Sequence, residues 1–154
     1  LADRYERDYE IDVRAIEGSG AAGGLAGALA ALGGRLVPGF ELVADELDVY
    51  DHIRDADLVI TGEGHLDRQS FEGKVVGGVA ELAAEHGVPV AAIVGIADAD
   101  VVDRIPTWSI AERFGEERSM REPLWCVEQV AGDVLRAFES RSAEPPTATD
   151  TTEA

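Results

Sequence analysis

Two short apolar runs, DLVIT at positions 57–61 and VPVAAIVG at 88–95, restrict the folds open to this chain. In DLVIT four of five side chains suit a pleated interior, and no turn residue breaks the run, as in a strand covered on both faces. Between the two runs Val75, Val76, Val79, Leu82 and Ala83 recur at helical spacing, and Gly87 follows where a helix would close. Strand, helix, strand in that order predicts a parallel sheet with right-handed crossovers. The expected class is α/β, a parallel sheet in Rossmann- or flavodoxin-like layers.

The flanking segments extend the pattern. LADRYERDYE reads as the amphipathic end of a helix and, with Leu1 in first place, suggests a chain that begins inside a longer protein. IDVRAI alternates like a strand and runs into EGSGAAGGLAGALAALGG, where Gly18 and Gly20 suit turns. There Leu25, Leu29 and Leu32 mark a helical face that Gly33 and Gly34 end, so a strand, glycine loop and helix are expected. After a short extended piece at Pro38-Gly39, Phe40, Val43, Leu47, Tyr50 and Ile53 fall at helical spacing. TWSIAE is a candidate third strand. A final helix, with Pro123 in its first turn, is expected to turn Leu124, Val127, Val130, Val134, Leu135 and Phe138 inward. Residues 1–140 are thus expected to form a single α/β domain, and the Pro-, Thr- and acid-rich residues 141–154 a disordered tail.

Composition narrows the function. The 154 residues suffice for one domain with a core, and a net charge of -18 opposes binding to nucleic acid or to an anionic membrane surface. Twelve arginines beside one lysine, Lys74, in so acidic a chain are compatible with adaptation to high salt or with a GC-rich genome. Cys126 stands alone, which allows no internal disulfide and points to a reducing cytoplasm; beside Trp125 and Val127 it reads as a small buried apolar residue. No signal-like segment and no apolar run of membrane-spanning length is present.

Candidate chemistry gathers on two glycine-rich stretches, each following an expected strand and so each expected at the rim where open sheets bind ligands. GSGAAGG offers either backbone N–H groups to an anion or a tight turn with close helix packing. By letter it also fits a dinucleotide fingerprint, although Glu41, near the spacing of a ribose-binding acid, lies in a helix-like segment. In GEGHLDRQSFEGK, Glu63 and Asp67 stand four apart on a glycine-freed backbone, placed to converge on one Mg²⁺ or on a hydroxyl. Lys74 opens the next helix, where its charge would reinforce the N-terminal dipole against an anion. Gln69 and Ser70 suit a polyol or a helix cap, with capping the stronger reading for Ser70. His65 reads as a solvated loop histidine, and Asp98, Asp100 and Asp103 as a solvated acidic turn. His52 and His86 show no metal-ligand spacing.

Together GSGAAGGLAGAL, PGFELV, ADLVITGEGHLDRQSFEGK and HGVPVAAIVG, in this order, resemble the type I glycerate kinase family over most of 18–95. The resemblance implies ATP-dependent, Mg²⁺-assisted phosphorylation of D-glycerate in a cleft between two α/β domains. It maps onto Gly62, Glu63, Gly64, Asp67, Gln69, Ser70, Gly73 and Lys74, with Gly20 and Gly23 of the first glycine loop. Asp67 is expected to act as base, with Lys74 beside it, and Glu63 as a metal or substrate ligand. His65 and Arg68 depart from the family's more usual arginine and small residue. The family's N-terminal portion is not in this sequence, so the chain is expected to be a C-terminal part, completed by a separate N-terminal partner chain or by forming a homodimer. The alternatives are a non-catalytic remnant that binds anions or nucleotides and, more remotely, half of a dinucleotide-binding oxidoreductase.

Overall fold

A computed structural model describes residues 1–142, which fall into two compact units, Leu1–Leu42 and a second beginning at Val43. Of the segment 141–154, expected to be a disordered tail, residues 141 and 142 close the last helix. The rest lies outside the described residues.

In the first unit, α1 (Ala2–Tyr9) is followed by a 3-10 turn at Val13–Ala15, where a strand was expected. The alternation in IDVRAI has a local cause instead. The Asp12 carboxylate accepts from the Arg14 N–H at 3.1 Å, and the Arg14 guanidinium pairs with Asp12 and Asp3, each at 2.6 Å, and with Glu6. A short polar side chain bonding its own backbone competes directly with a sheet ladder. The dinucleotide reading, which requires a strand ahead of the glycine loop, is thereby lost.

Helix α2 (Ala21–Ala31) is broken in its first turn, where Ala22, Gly23 and Gly24 have φ of 52°, 68° and 90°. The loop folds back on this helix because position 27 has no side chain. The Gly27 N–H donates to the Ser19 carbonyl at 2.8 Å, and a Cβ on Gly27 would lie 2.9 Å from that same oxygen. Leu25, Leu29 and Leu32 form the expected face, but all three are exposed.

The expected single helix after Pro38 is two helices, α3 (Gly39–Glu46) and α4 (Val49–Arg54), separated by Asp48 at φ 51°. Of its apolar spacing only Ile53 is buried, while Val43, Leu47 and Tyr50 are exposed.

The second unit is the α/β layer structure. Strands β1 (Val59–Leu66), β2 (Val90–Ala97) and β3 (Thr107–Ser109) form a parallel sheet in the order β1-β2-β3. Between β1 and β2 run a 3-10 turn, Arg68–Phe71, and α5 (Val75–Glu85). After β3 come α6 (Ile110–Phe114), α7 (Glu116–Arg121) and α8 (Pro123–Ser142). Successive residues of β2 face opposite layers. Ala92 and Val94 pack with Leu66, Val76, Ala80, Val101 and Ile105, whereas Ala91 and Ile93 pack with Ile110, Cys126, Val130 and Val134. Burying each large aliphatic side chain stabilises by about 1.5–3 kcal/mol, so the central strand anchors both layers.

Two expectations change here. Strand β1 continues past DLVIT through Gly62, Glu63, Gly64, His65 and Leu66, so Gly-Glu-Gly is strand and not loop. And α8 buries a stripe at Cys126, Val130 and Val134, leaving Leu124, Val127 and Leu135 exposed, because only one face of a 3.6-residue helix can meet the sheet.

Candidate functional site

The carboxyl ends of β1 and β2 carry most of the chemically active side chains. Asp67 caps the 3-10 turn that follows β1. Its Oδ1 accepts from the Ser70 N–H at 3.0 Å and the Ser70 hydroxyl at 3.2 Å, while the Asp67 N–H donates to Ser70 Oγ at 3.0 Å. Ser70 is fully buried, so the capping expected of it is what the structure shows. The other carboxylate oxygen of Asp67, Oδ2, takes no part in the bonds to Ser70. Burial works against the charge on Asp67. The Ser70 donors, the Lys74 ammonium and the Gln69 N–H outweigh it and hold the carboxyl below its ordinary value.

Lys74 is exposed and occupies the N-cap of α5, directly after Gly73, whose φ of 76° lets the chain turn into the helix. The helix can start there only because Gly77 has no side chain; a Cβ would sit 2.7 Å from the Phe71 Cα. Gln69 is exposed on the turn.

Histidine 65 and the acidic turn after β2 are not simply solvated. His65 Nε2 lies 2.8 Å from Asp98 Oδ1, and Arg68 Nε donates to Asp100 Oδ2 at 2.5 Å, while the Asp98 N–H reaches the Leu66 carbonyl at 2.9 Å. These links bind the end of β1 to the loop after β2. Sequence reading missed them because the partners are more than thirty residues apart, and only the parallel register, His65 opposite Ile96 and Leu66 opposite Ala97, brings them together. The Asp98 hydrogen bond raises the His65 pKa against the opposing effect of burial, with Asp98, Asp67 and Glu63 adding their charges. Glu63, His65, Asp67 and Lys74 are thus electrostatically coupled through His65 and Asp67.

The raised pKa has a pH consequence. The link contributes stability below about pH 6.5, the unfolded histidine value, and that contribution is lost as pH rises through the folded value. An NMR titration of the imidazoles should show His65 titrating above the ordinary value, and Asp98→Asn should bring it back down. A His65 curve unchanged in that variant would refute the link.

Glu63 differs from the others. It is half-buried in β1, and its Oε1 is buried with no hydrogen-bond partner among the described residues. It borders a cleft of about 500 Å³ between the sheet and helices α7 and α8, walled by Ile93, Ile96, Met120, Pro123 and Val127. Sequence reading missed the α7 and α8 side of this cleft entirely, since nothing in EERSMREPLWCV marks a wall.

The glycines separate by cause. A Cβ on Gly62 would lie 2.2 Å from the Ile93 carbonyl oxygen, and one on Gly95 2.3 Å from that of Gly64, so both are demanded by the approach of β1 to β2. Gly62, expected to bind substrate, has this packing reason first. Gly64 faces open space beside the cleft. Gly20 and Gly23, in the first unit, also face open space, but the N–H groups of Ala21, Gly24 and Gly27 in that loop bond to its own carbonyls. That favours the tight-turn reading at those three positions.

Cys126 is buried, as expected. No group of three or more His, Cys, Asp and Glu side chains among the described residues is arranged to hold a metal. No described helix is long and apolar enough to cross a membrane.

A family model described as the glycerate kinase family matches residues 1–139. The glycerate kinase of Halalkalibacterium halodurans is 47% identical over 96 residues, which is 62% of this chain and 25% of that protein. The glycerate 2-kinase of Escherichia coli is 45% identical over 101 residues, 65% of this chain and 26% of that protein. A crystal structure from Salmonella typhimurium LT2, provisionally named glycerate kinase 2, matches with a TM-score of 0.49 at 33% identity over 86% of this chain and 37% of that one. The chain spans about a quarter of the length of the curated relatives it matches.

Proposed function

Since the chain belongs to the glycerate kinase family, we propose that it supplies the C-terminal part of a type I enzyme that transfers the γ-phosphoryl group of ATP to D-glycerate. The observation that carries this reading is Asp67, held ionised by its capping box with Ser70 and facing the charge of Lys74 at the start of α5. Phosphoryl transfer depends on positioning and charge neutralisation more than on covalent chemistry by the protein. The Lys74 ammonium and the N-terminal N–H groups of α5 attract the transferring phosphoryl. Asp67 Oδ2 takes the proton of the glycerate hydroxyl, while Oδ1 stays engaged by Ser70 and keeps the carboxylate oriented. Gln69 orients the polyol, and Gly73 and Gly64 leave room for its approach.

Magnesium fits this donor set. It prefers hard oxygen ligands, keeps several waters, and is commonly shared between one or two carboxylates and the substrate phosphates, so it requires no dedicated protein cage. Glu63 is the carboxylate proposed to hold it, with Asp67 kept as the base, and when bound it would neutralise charge on the phosphates. In the first unit, Gly20 and Gly23 are proposed to leave room for an anion at their own loop with their open sides.

The reading includes a second wall for the cleft, supplied by an N-terminal partner chain or by a second copy. In the first unit, the exposed Leu25, Leu29 and Leu32 offer an apolar face that a partner chain or a second copy would cover. A reducing cytoplasm fits the free, buried Cys126, and the acidic composition fits a cytoplasm rich in salt.

An ADP-release assay with D-glycerate and MgATP, run on the chain alone and together with an N-terminal part, tests the proposal. Turnover restored by the added part is expected. No turnover in either case would leave the alternative of a non-catalytic, anion- or nucleotide-binding relative.

A further inference from the structure

We propose that Asp98 and Asp100, on the turn after β2, are positioning residues for Asp67, which they hold in place by gripping the chain on both sides of it. The inference rests on the kinase reading above for the role of Asp67, and it adds two acids that the reading does not use. His65, two residues before Asp67, donates from Nε2 to Asp98 Oδ1 at 2.8 Å; a carboxylate can only accept, so this bond forms with the imidazole neutral or charged. Arg68, one residue after Asp67, donates from Nε to Asp100 Oδ2 at 2.5 Å. Between them the Leu66 carbonyl accepts from the Asp98 N–H at 2.9 Å. Three bonds to one turn therefore bracket the base.

The turn is a firm support. Val101 within it is buried in the same core layer as Leu66, Val94 and Ile105, and its N–H donates to the Asp98 carbonyl at 3.2 Å. The segment that carries Asp67 is less secure. Leu66 and Ser70 at its ends are buried, but Asp67 is only half-buried, and Arg68 and Gln69 are exposed. The capping box with Ser70 fixes the carboxylate relative to its own turn, not relative to the end of β2.

An isolated exposed ion pair holds little, because ordering two side chains offsets the attraction. The His65 and Arg68 side chains are 49% and 76% exposed, so neither pair would hold much alone. Together with the backbone bond they share that cost, since the turn is ordered once for all three. Placement is what they control, and a displacement of about 1 Å in a reacting group can cost about 10²-fold in rate.

In the protein completed by its N-terminal part, Asp98→Ala combined with Asp100→Ala should lower kcat for D-glycerate about tenfold, with the KM for MgATP and the unfolding midpoint near those of the parent. Reversing the second pair, Arg68→Asp with Asp100→Arg, should recover most of the kcat that Asp100→Arg alone loses, since the pair re-forms with no change in net charge. Asp103→Asn is the control for charge. Exposed on the same turn, it removes one acid without touching these bonds, and kcat should stay at the parent value. A second readout requires no turnover. The Ser70 N–H bonds to the Asp67 carbonyl at 3.2 Å and to Oδ1 at 3.0 Å, and in the chain itself its hydrogen exchange should quicken about tenfold in the double alanine variant. Unchanged exchange, or a kcat in Asp103→Asn as low as in the double alanine variant, would overturn the inference. No turnover in the completed parent would instead remove the kinase reading, and the exchange rate would then decide alone whether this turn holds Asp67.

Discussion

Replacing Gly62 by alanine should lower the unfolding midpoint by at least about 10 °C, and Gly95→Ala should do the same. Each substitution aims a Cβ at a backbone oxygen of the neighbouring strand, at 2.2 Å from Ile93 and 2.3 Å from Gly64. Neither oxygen can swing aside as a flexible side chain can. Relief requires β1 and β2 to separate along a register that runs from Val59 opposite Val90 to Leu66 opposite Ala97. Strand β2 anchors both layers of the core, so the disturbance reaches both. Overpacking of this kind costs about 3 kcal/mol or more, and 1 kcal/mol moves the midpoint of a domain of about 100 residues by roughly 4–8 °C. Thermal unfolding followed by circular dichroism measures it. A midpoint within a few degrees of the parent would show that the strands are not this close. Gly64→Ala is the internal control, since its Cβ would meet nothing within 4 Å and its effect on the midpoint should be small.

The second large effect is chemical. In the protein completed by its N-terminal part, Asp67→Asn should reduce turnover by about 10²- to 10⁴-fold, the range for losing a positioned proton acceptor, with little change in secondary structure. Asparagine caps a helix start nearly as well as aspartate, so the bonds from Ser70 to Oδ1 can persist. The charge felt by Lys74 and the proton-accepting oxygen are what it removes. Equal turnover in the two proteins would take Asp67 out of the chemistry and leave it a cap. Asp67→Ala makes the contrast, because it also strips a buried serine of its partner and should disturb folding as well as rate.

These two experiments bear on the same thirteen residues, 62–74, where conformational and chemical demands overlap. Glycine at 62 answers to strand packing, glycine at 73 to a left-handed φ, and glycine at 64 to neither. A string such as GEGHLDRQSFEGK marks all of them alike, and coordinates are required to tell a packing glycine from one that leaves space for a ligand.

Much was legible before any coordinates. The strands at DLVIT and VPVAAIVG, the helix opened by Lys74 and the closing helix with Pro123 in its first turn all follow from patterns repeated within a few residues, where local propensity and burial agree. Ser70 as a cap was legible for the same reason, since cap and capped turn are neighbours. Misreadings occurred where one local interaction competed with another. IDVRAI alternates like a strand, yet Asp12 and Arg14 close it into a turn. The helical spacing from Phe40 to Ile53 is real, yet Asp48 breaks it.

By itself the sequence determined the α/β alternation, the family's motif string and the excess of negative charge, because each is written in adjacent residues or in their sum. Only the tertiary structure decided that Gly-Glu-Gly is strand, that His65 and Arg68 answer Asp98 and Asp100, and that Glu63 borders a cleft walled by α7 and α8. Those relations join residues some thirty to sixty positions apart, and chain order carries no information on which distant side chains meet until strands pair in register and helices choose the face they bury.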